Sequence, residues 1–257
     1  MWRQIRIGFL LFVLAITAWS TWHDRLSTTD WDEPLHIGIF PINPEGAGSS
    51  DAYIENLAGE DFAAIASFFN EEASRHGVAI TNAVRVDLFP EVTELPPASP
   101  PGGSMLSNLW WSLKMRLYAR RNARPPNLAP PQVRIFVQYH DPSFTRSVPH
   151  SVGLQKGLVG VVHAFAAADM TGANNVVIAH EVLHTLGATD KYDLATLAPL
   201  YPSGYAEPER EPRFPQEFAE IMAGRYAIDA DTFEMPESLD EVLVGDQTAL
   251  EIRWTDR

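Results

Sequence analysis

The chain has 257 residues, enough for one sizeable domain or two small ones, and 46% hydrophobic against 20% charged content excludes an intrinsically disordered protein. A formal net charge of −14 argues against nucleic acid as a general partner. Cysteine is absent, which excludes disulfides, thiolate metal ligands and a cysteine nucleophile.

The chain opens with "MWRQIR", carrying Arg3 and Arg6, followed by the uncharged run "IGFLLFVLAITAW" over residues 7–19. A basic stretch leading an apolar one is the arrangement of an export signal. The uncharged run, extended over residues 7–23, is about the shortest that spans a bilayer. Ala18 and Ser20 supply small residues for signal cleavage, whereas Trp19 and Trp22 suit an interfacial aromatic belt. Both readings put the remaining residues outside the cytoplasm. The expectation is an uncleaved signal-anchor within residues 1–29, a single pass through the cell membrane, and one extracytoplasmic domain over residues 30–257. The alternative is a secreted or periplasmic protein after signal cleavage.

"LHIGIFPI" (35–42) alternates like a strand, "DAYIENLAGEDFAAIASFFNEEASRHG" (51–77) has helical spacing closing on Gly77, and "VAITNAVRVDLF" (78–89) is β-rich. Strand, helix, strand in that order predicts a right-handed crossover in an α/β layer. "PPASPPGGS" (96–104) and "RPPNLAPPQ" (124–132) are loops by composition. Between them "MLSNLWWSLKMRLYARRNA" is helical by pattern, with Lys114, Arg116, Arg120 and Arg121 beside Trp110 and Trp111. Such a helix can rest on an anionic membrane surface or simply present a solvated basic face; its spacing does not separate the two. "VRIFVQYH" (133–140) and "GLVGVVHAFAAA" (157–168) read as strands. Beyond Asp193 a proline-rich stretch runs to about Pro215. A short helix is expected around "PQEFAEIMAGR", and "ESLDEVLVGDQTALEIRW" reads as a closing helix.

The motif "VVIAHEVLHTLGATDKYD" (176–193) carries the chemistry. On a helix over residues 174–186, with Thr171, Asn174 and Asn175 available as caps and Gly187 as stop, His180 and His184 project from one face and can share a metal. Zinc accepts imidazole nitrogen and keeps an open position in catalytic sites. Glu181, directly after the first histidine, can act on water beside the metal without being a ligand. Gly187 can adopt positive φ and reverse the chain, which brings Asp190 to the site as a carboxylate ligand. Asp193, Glu217 and Glu220 compete for the third position, Asp193 also as a partner for a histidine's free ring nitrogen.

The spacing H-E-x-x-H-x-x-G-x-x-D resembles the metzincin peptidases, whose common pattern ends in histidine and is followed by a Met-turn. Aspartate in the last position, with Tyr192 two residues on, is similar to the snapalysin branch. "EIMAG", from Glu220 to Gly224, is similar to the Met-turn of that branch and places Met222 32 residues after Asp190. The resemblance covers about residues 158–226. It implies an α/β (α+β) fold with a twisted mixed sheet and a long active-site helix. It further implies one catalytic Zn2+ held by His180, His184 and Asp190, and Glu181 as general base in hydrolysis of a peptide or protein substrate. The strand "GLVGVVHAF" resembles the metzincin edge strand that pairs with an extended substrate, with His163 as a rim residue. Gly224 occupies the place where some members carry an oxyanion-binding tyrosine, leaving Tyr192 and Tyr226 as candidates. Two other readings stay open: a non-catalytic, membrane-anchored zinc module, and a metal hydrolase acting on a non-peptide substrate.

Overall fold

The computed structural model describes Arg6 and residues 29–100, 104–123, 129–155 and 157–256. The expected membrane segment therefore lies almost wholly outside the described residues, as do residues 101–103 and 124–128 of the two expected loops. No helix among the described residues is long and apolar enough to cross a membrane.

Five strands, β1 (Leu35–Ile42), β2 (Val84–Leu88), β3 (Val133–His140), β4 (Val152–Leu154) and β5 (Val159–Phe165), form a mixed sheet in the order β2-β1-β3-β5-β4. All neighbours are parallel except β4, which runs antiparallel to β5. Parallel neighbours need long crossovers. Helix α1 (Gly48–Glu55), a 3-10 turn (Gly59–Phe62) and α2 (Ala63–Arg75) join β1 to β2, and α3 (Met105–Asn122) lies between β2 and β3.

Strands β1 and β3 are apolar along almost their whole length because both sheet faces are covered. On one face Ile37, Ile39, Ile135 and Val137 pack with Ile65 and Phe69 of α2 and with Ile178 and Val182 of α4 (Thr171–Leu186). On the other, Phe40, Phe136 and Val161 meet Met115 and Tyr118 of α3. The mixed α/β architecture expected from the sequence is present at this level of description.

Several elements differ from expectation, each for a local reason. The 51–77 stretch is broken near Gly59 rather than forming one helix, and the second strand is shortened to Val84–Leu88 by a turn with Asn82 at φ 57°. No helix forms around "PQEFAEIMAGR": the buried Glu220 carboxylate accepts from the backbone N–H groups of Met222 and Ala223 at 2.7 and 2.9 Å, holding a tight turn in place of a helical ladder. That turn follows β6 (Ala219–Glu220). After β7 (Tyr226–Ala227) and its antiparallel partner β8 (Phe233–Glu234), the expected closing helix is divided. A 3-10 turn (Leu239–Glu241) leads into β9 (Val242–Leu243), which pairs with β6, and only Asp246–Glu251 forms helix α5. Strand β4, which no periodicity in the sequence signals, takes the sheet edge from β5, so the strand expected to form the edge is interior.

Candidate metal centre

Helix α4 places Val176, Ala179, Val182, Leu183 and Leu186 in the core and leaves His180 and His184 half-buried, one turn apart on its open side. It begins at Thr171. Asn174 and Asn175 lie inside the helix rather than capping it, bonding the backbone of Phe165 and the Asp61 carbonyl. The helix ends at Gly187 with φ 112°, a left-handed conformation that suits glycine, and the Gly187 and Ala188 N–H groups both return to the Leu183 carbonyl at 3.0 Å. The reversed chain delivers Asp190. Its Oδ1 lies 3.3 Å from His180 Nε2 and 3.1 Å from His184 Nε2.

The backbone sets which ring nitrogen carries the proton. His180 Nδ1 lies 2.9 Å from the Ile221 carbonyl and His184 Nδ1 2.9 Å from the Ala188 carbonyl. A carbonyl only accepts, so each Nδ1 donates and each neutral ring turns a lone pair on Nε2 toward Asp190. Three acceptor atoms thus converge, an arrangement that needs a cation or a proton among them. The edge of a tetrahedron with zinc–ligand bonds of roughly 2.0–2.1 Å is about 3.3 Å, which the two Asp190 contacts match. Asp190 Oδ1 is buried without a hydrogen-bond donor, and ligand atoms of His180, Glu181 and His184 also lie within 4.8 Å of one another. The donor set fits zinc.

Electrostatics follow the same geometry. Burial raises the Asp190 carboxyl, but in the metal-free chain a proton taken up on the facing Nε2 of His180 or His184 turns that ring into a donor, which more than reverses the effect and leaves the group below the ordinary carboxylate range. Burial lowers the His184 imidazole, but Asp190 and the charge of Glu181 favour a proton on its Nε2 and raise it, the proton occupying the place a cation would take. Glu181 is only 5% exposed, its Oε2 has no hydrogen-bond partner, and burial pushes its carboxyl upward.

The glutamate sits under strand β4. A Cβ on Gly153 would stand 2.5 Å from the Glu181 carbonyl oxygen, 2.5 Å from His184 Cβ and 3.1 Å from Glu181 Oε2. Only glycine allows this approach. Gly160 is the cross-strand partner of Gly153, so two side-chain-free positions lie side by side where the motif helix meets the sheet edge. A sequence pattern of apolar periodicity does not expose this; the glycine inside a three-residue strand is the one available signal.

Met222 is fully buried in the turn behind the histidines, and its carbonyl accepts from Lys191 N at 2.9 Å while its neighbour Ile221 holds His180. Glu220 accepts additionally from Gly245 N and Thr248 Oγ1, at 3.2 and 2.5 Å, and is spent on this turn. Glu217 pairs with Arg210, and Asp193 caps its own turn through the N–H groups of Ala195 and Thr196. None of the three competing carboxylates meets the histidines. The two tyrosines part company: Tyr192 borders the cavity in front of the histidines, whereas Tyr226 lies outside its lining, with its hydroxyl 3.5 Å from Glu234. That cavity, of about 390 Å³, is open to solvent and is bordered also by His163 and Arg225. His163 Nδ1 lies 3.0 Å from His140 Nε2, and His140 Nδ1 lies 2.9 Å from Glu45, which turns the rim histidine away from a ligand role at that nitrogen.

No protein-family model matches the chain, and no curated protein is significantly similar to it.

Proposed function

We propose that the protein is a zinc-dependent endopeptidase of metzincin-like fold, with His180, His184 and Asp190 as metal ligands and Glu181 as general base. The observation that carries this reading is the convergence of three acceptor atoms next to a buried carboxylate whose Oε2 has no partner, at the floor of an open cavity. A merely structural zinc site has no use for that carboxylate. Support for a peptide as substrate comes from β4, an antiparallel edge strand beside the motif helix, which can add an extended chain by main-chain hydrogen bonds.

Zinc held by the three ligands supplies Lewis acidity toward a carbonyl oxygen and toward water. The chain's own part is proton transfer. Glu181 Oε2 takes a proton from water as its oxygen adds to the scissile carbonyl carbon, then returns it to the leaving nitrogen as the carbon–nitrogen bond breaks. Desolvation raises the basicity of Glu181, which helps it remove that proton. Ile221 and Ala188 keep both imidazoles in the ligating tautomer. With the N-terminal apolar run as its anchor, the enzyme works outside the cytoplasm on proteins within reach of the membrane.

Metal content of the purified full chain tests this, with Asp190→Ala and Glu181→Gln alongside. The expected result is about one zinc per chain, greatly weakened by Asp190→Ala and retained by Glu181→Gln, which loses peptide hydrolysis. Undiminished zinc in Asp190→Ala removes that residue from the ligand set. A folded chain that takes up no zinc overturns the reading, and zinc binding with no effect of Glu181→Gln on turnover of any peptide leaves a non-catalytic module.

A further inference from the structure

Helix α3 faces two ways. Its inner side, through Trp111, Met115, Tyr118 and Ala119, packs on the sheet. That side is also tied to the preceding loop: Trp111 Nε1 donates to the Pro97 carbonyl at 2.8 Å, Tyr118 Oη to the Glu94 carbonyl at 2.5 Å, and Asn122 Nδ2 to the Glu94 carboxylate at 3.1 Å. With its inner side so held, the helix turns a second apolar stripe outward. Leu106, Leu109, Trp110, Leu113 and Leu117 follow at helical spacing and are 77, 54, 60, 46 and 45% exposed. The stripe runs along an 18-residue helix, about 27 Å long. Five large apolar side chains aligned in water on one helix mark an interaction face.

Charge selects the occupant. Within α3 there are four cations, Lys114, Arg116, Arg120 and Arg121, and no acidic residue, in a chain whose net charge is −14. Lys114 Nζ sits 5.8 Å from the Trp110 ring, flanking the stripe, and among the described residues Arg120 and Arg121 form no ion pair. Leucines in a row, a tryptophan at their edge and cations beside them are the composition of a helix that lies in a bilayer interface. A second copy of so acidic a chain is repelled at large, whereas an anionic lipid surface attracts this face and repels the rest. We infer that α3 is a docking helix that lays its outward stripe on the surface of an anionic bilayer and so orients the domain.

The absence of native cysteine allows a direct test. The full 257-residue chain carrying Leu113→Cys receives an environment-sensitive fluorophore, with Asp231→Cys as a control on the exposed 229–232 turn. Both are added to phosphatidylglycerol–phosphatidylcholine vesicles containing a spin-labelled lipid, and to phosphatidylcholine vesicles alike. Strong quenching at position 113, little at 231, and a marked loss of quenching in neutral vesicles or in Arg120→Glu/Arg121→Glu is the expected outcome. Equal quenching with both lipids removes the anionic surface from the inference. A label at 113 that is shielded from water yet unquenched by lipid means that another protein segment covers the stripe, and the inference fails. A label that stays in water with both vesicles overturns it outright.

Discussion

His180 donates through Nδ1 to the carbonyl of Ile221 at 2.9 Å, so the residue immediately before Met222 orients the first histidine of the motif. The Met222 carbonyl in turn holds Lys191 N at 2.9 Å, one residue past Asp190. A single buried turn thus braces a residue on α4 and the loop that carries the carboxylate.

Met222→Ala is expected to act on both. Removing a fully buried methionine costs roughly 2–4 kcal/mol through lost contacts and a cavity. Because the Ile221 carbonyl loses its support, zinc affinity is expected to fall by about ten- to a hundredfold as well. Denaturant unfolding of the metal-free chain measures the first effect and competition with a chelator the second. Lower stability with unchanged zinc affinity would reduce Met222 to a core residue.

Glu181→Gln is expected to separate stability from turnover. The carboxylate is buried with an unpartnered oxygen, so an uncharged amide of the same shape relieves a desolvation penalty. The midpoint of thermal unfolding should hold or rise, while peptide hydrolysis falls by about 10²- to 10⁴-fold. Loss of both together speaks against the proton-transfer role.

What could be read beforehand divides along physical lines. His180, Glu181 and His184 were legible because they sit inside one helix whose apolar period and glycine stop are local features. Asp190 was legible through Gly187, the device that reverses the chain. The turn at Met222 was legible as a motif but not as a conformation, since the competitor to a helix there is the Glu220 side chain, whose acceptor role depends on Gly245 and Thr248 from far along the chain. Strand β4 is three residues long and gives no period to detect. The line from Glu45 through His140 to His163 joins residues 95 and 23 positions apart and has no local signature. The two-sided helix α3 looked basic rather than apolar because its second stripe blurs the pattern of the first.

Gly153→Ala probes the approach of strand to helix. The added methyl meets the Glu181 carbonyl oxygen and His184 Cβ at 2.5 Å, both parts of a packed helix that cannot swing aside. A destabilisation of roughly 1–3 kcal/mol is expected from the overpacking, together with loss of peptide turnover as the edge strand shifts. Gly48→Ala, where a Cβ meets nothing within 4 Å and the backbone is not left-handed, is the control for the loss of a glycine without overpacking. A Gly153→Ala variant as stable and active as the parent would show that β4 is free to move off the helix.

Stability in acid should depend on His163. Burial, and then the charge of His140 beside it, push the His163 imidazole down from the ordinary 6.5 to about 4. Below pH 6.5 the unfolded chain therefore binds a proton at this site that the folded chain refuses until about pH 4. More protons on the unfolded state means that stability falls with falling pH, so the contribution of His163 is complete above about pH 6.5 and is lost progressively down to about pH 4. His163→Asn removes the titrating group while keeping a planar polar side chain. With chelator present throughout, so that zinc release does not enter, the unfolding midpoint of His163→Asn should drop less steeply across that window than that of the parent chain. An identical slope would mean that the rim histidine protonates in the folded state as readily as in water, and that its contact with His140 opens in solution.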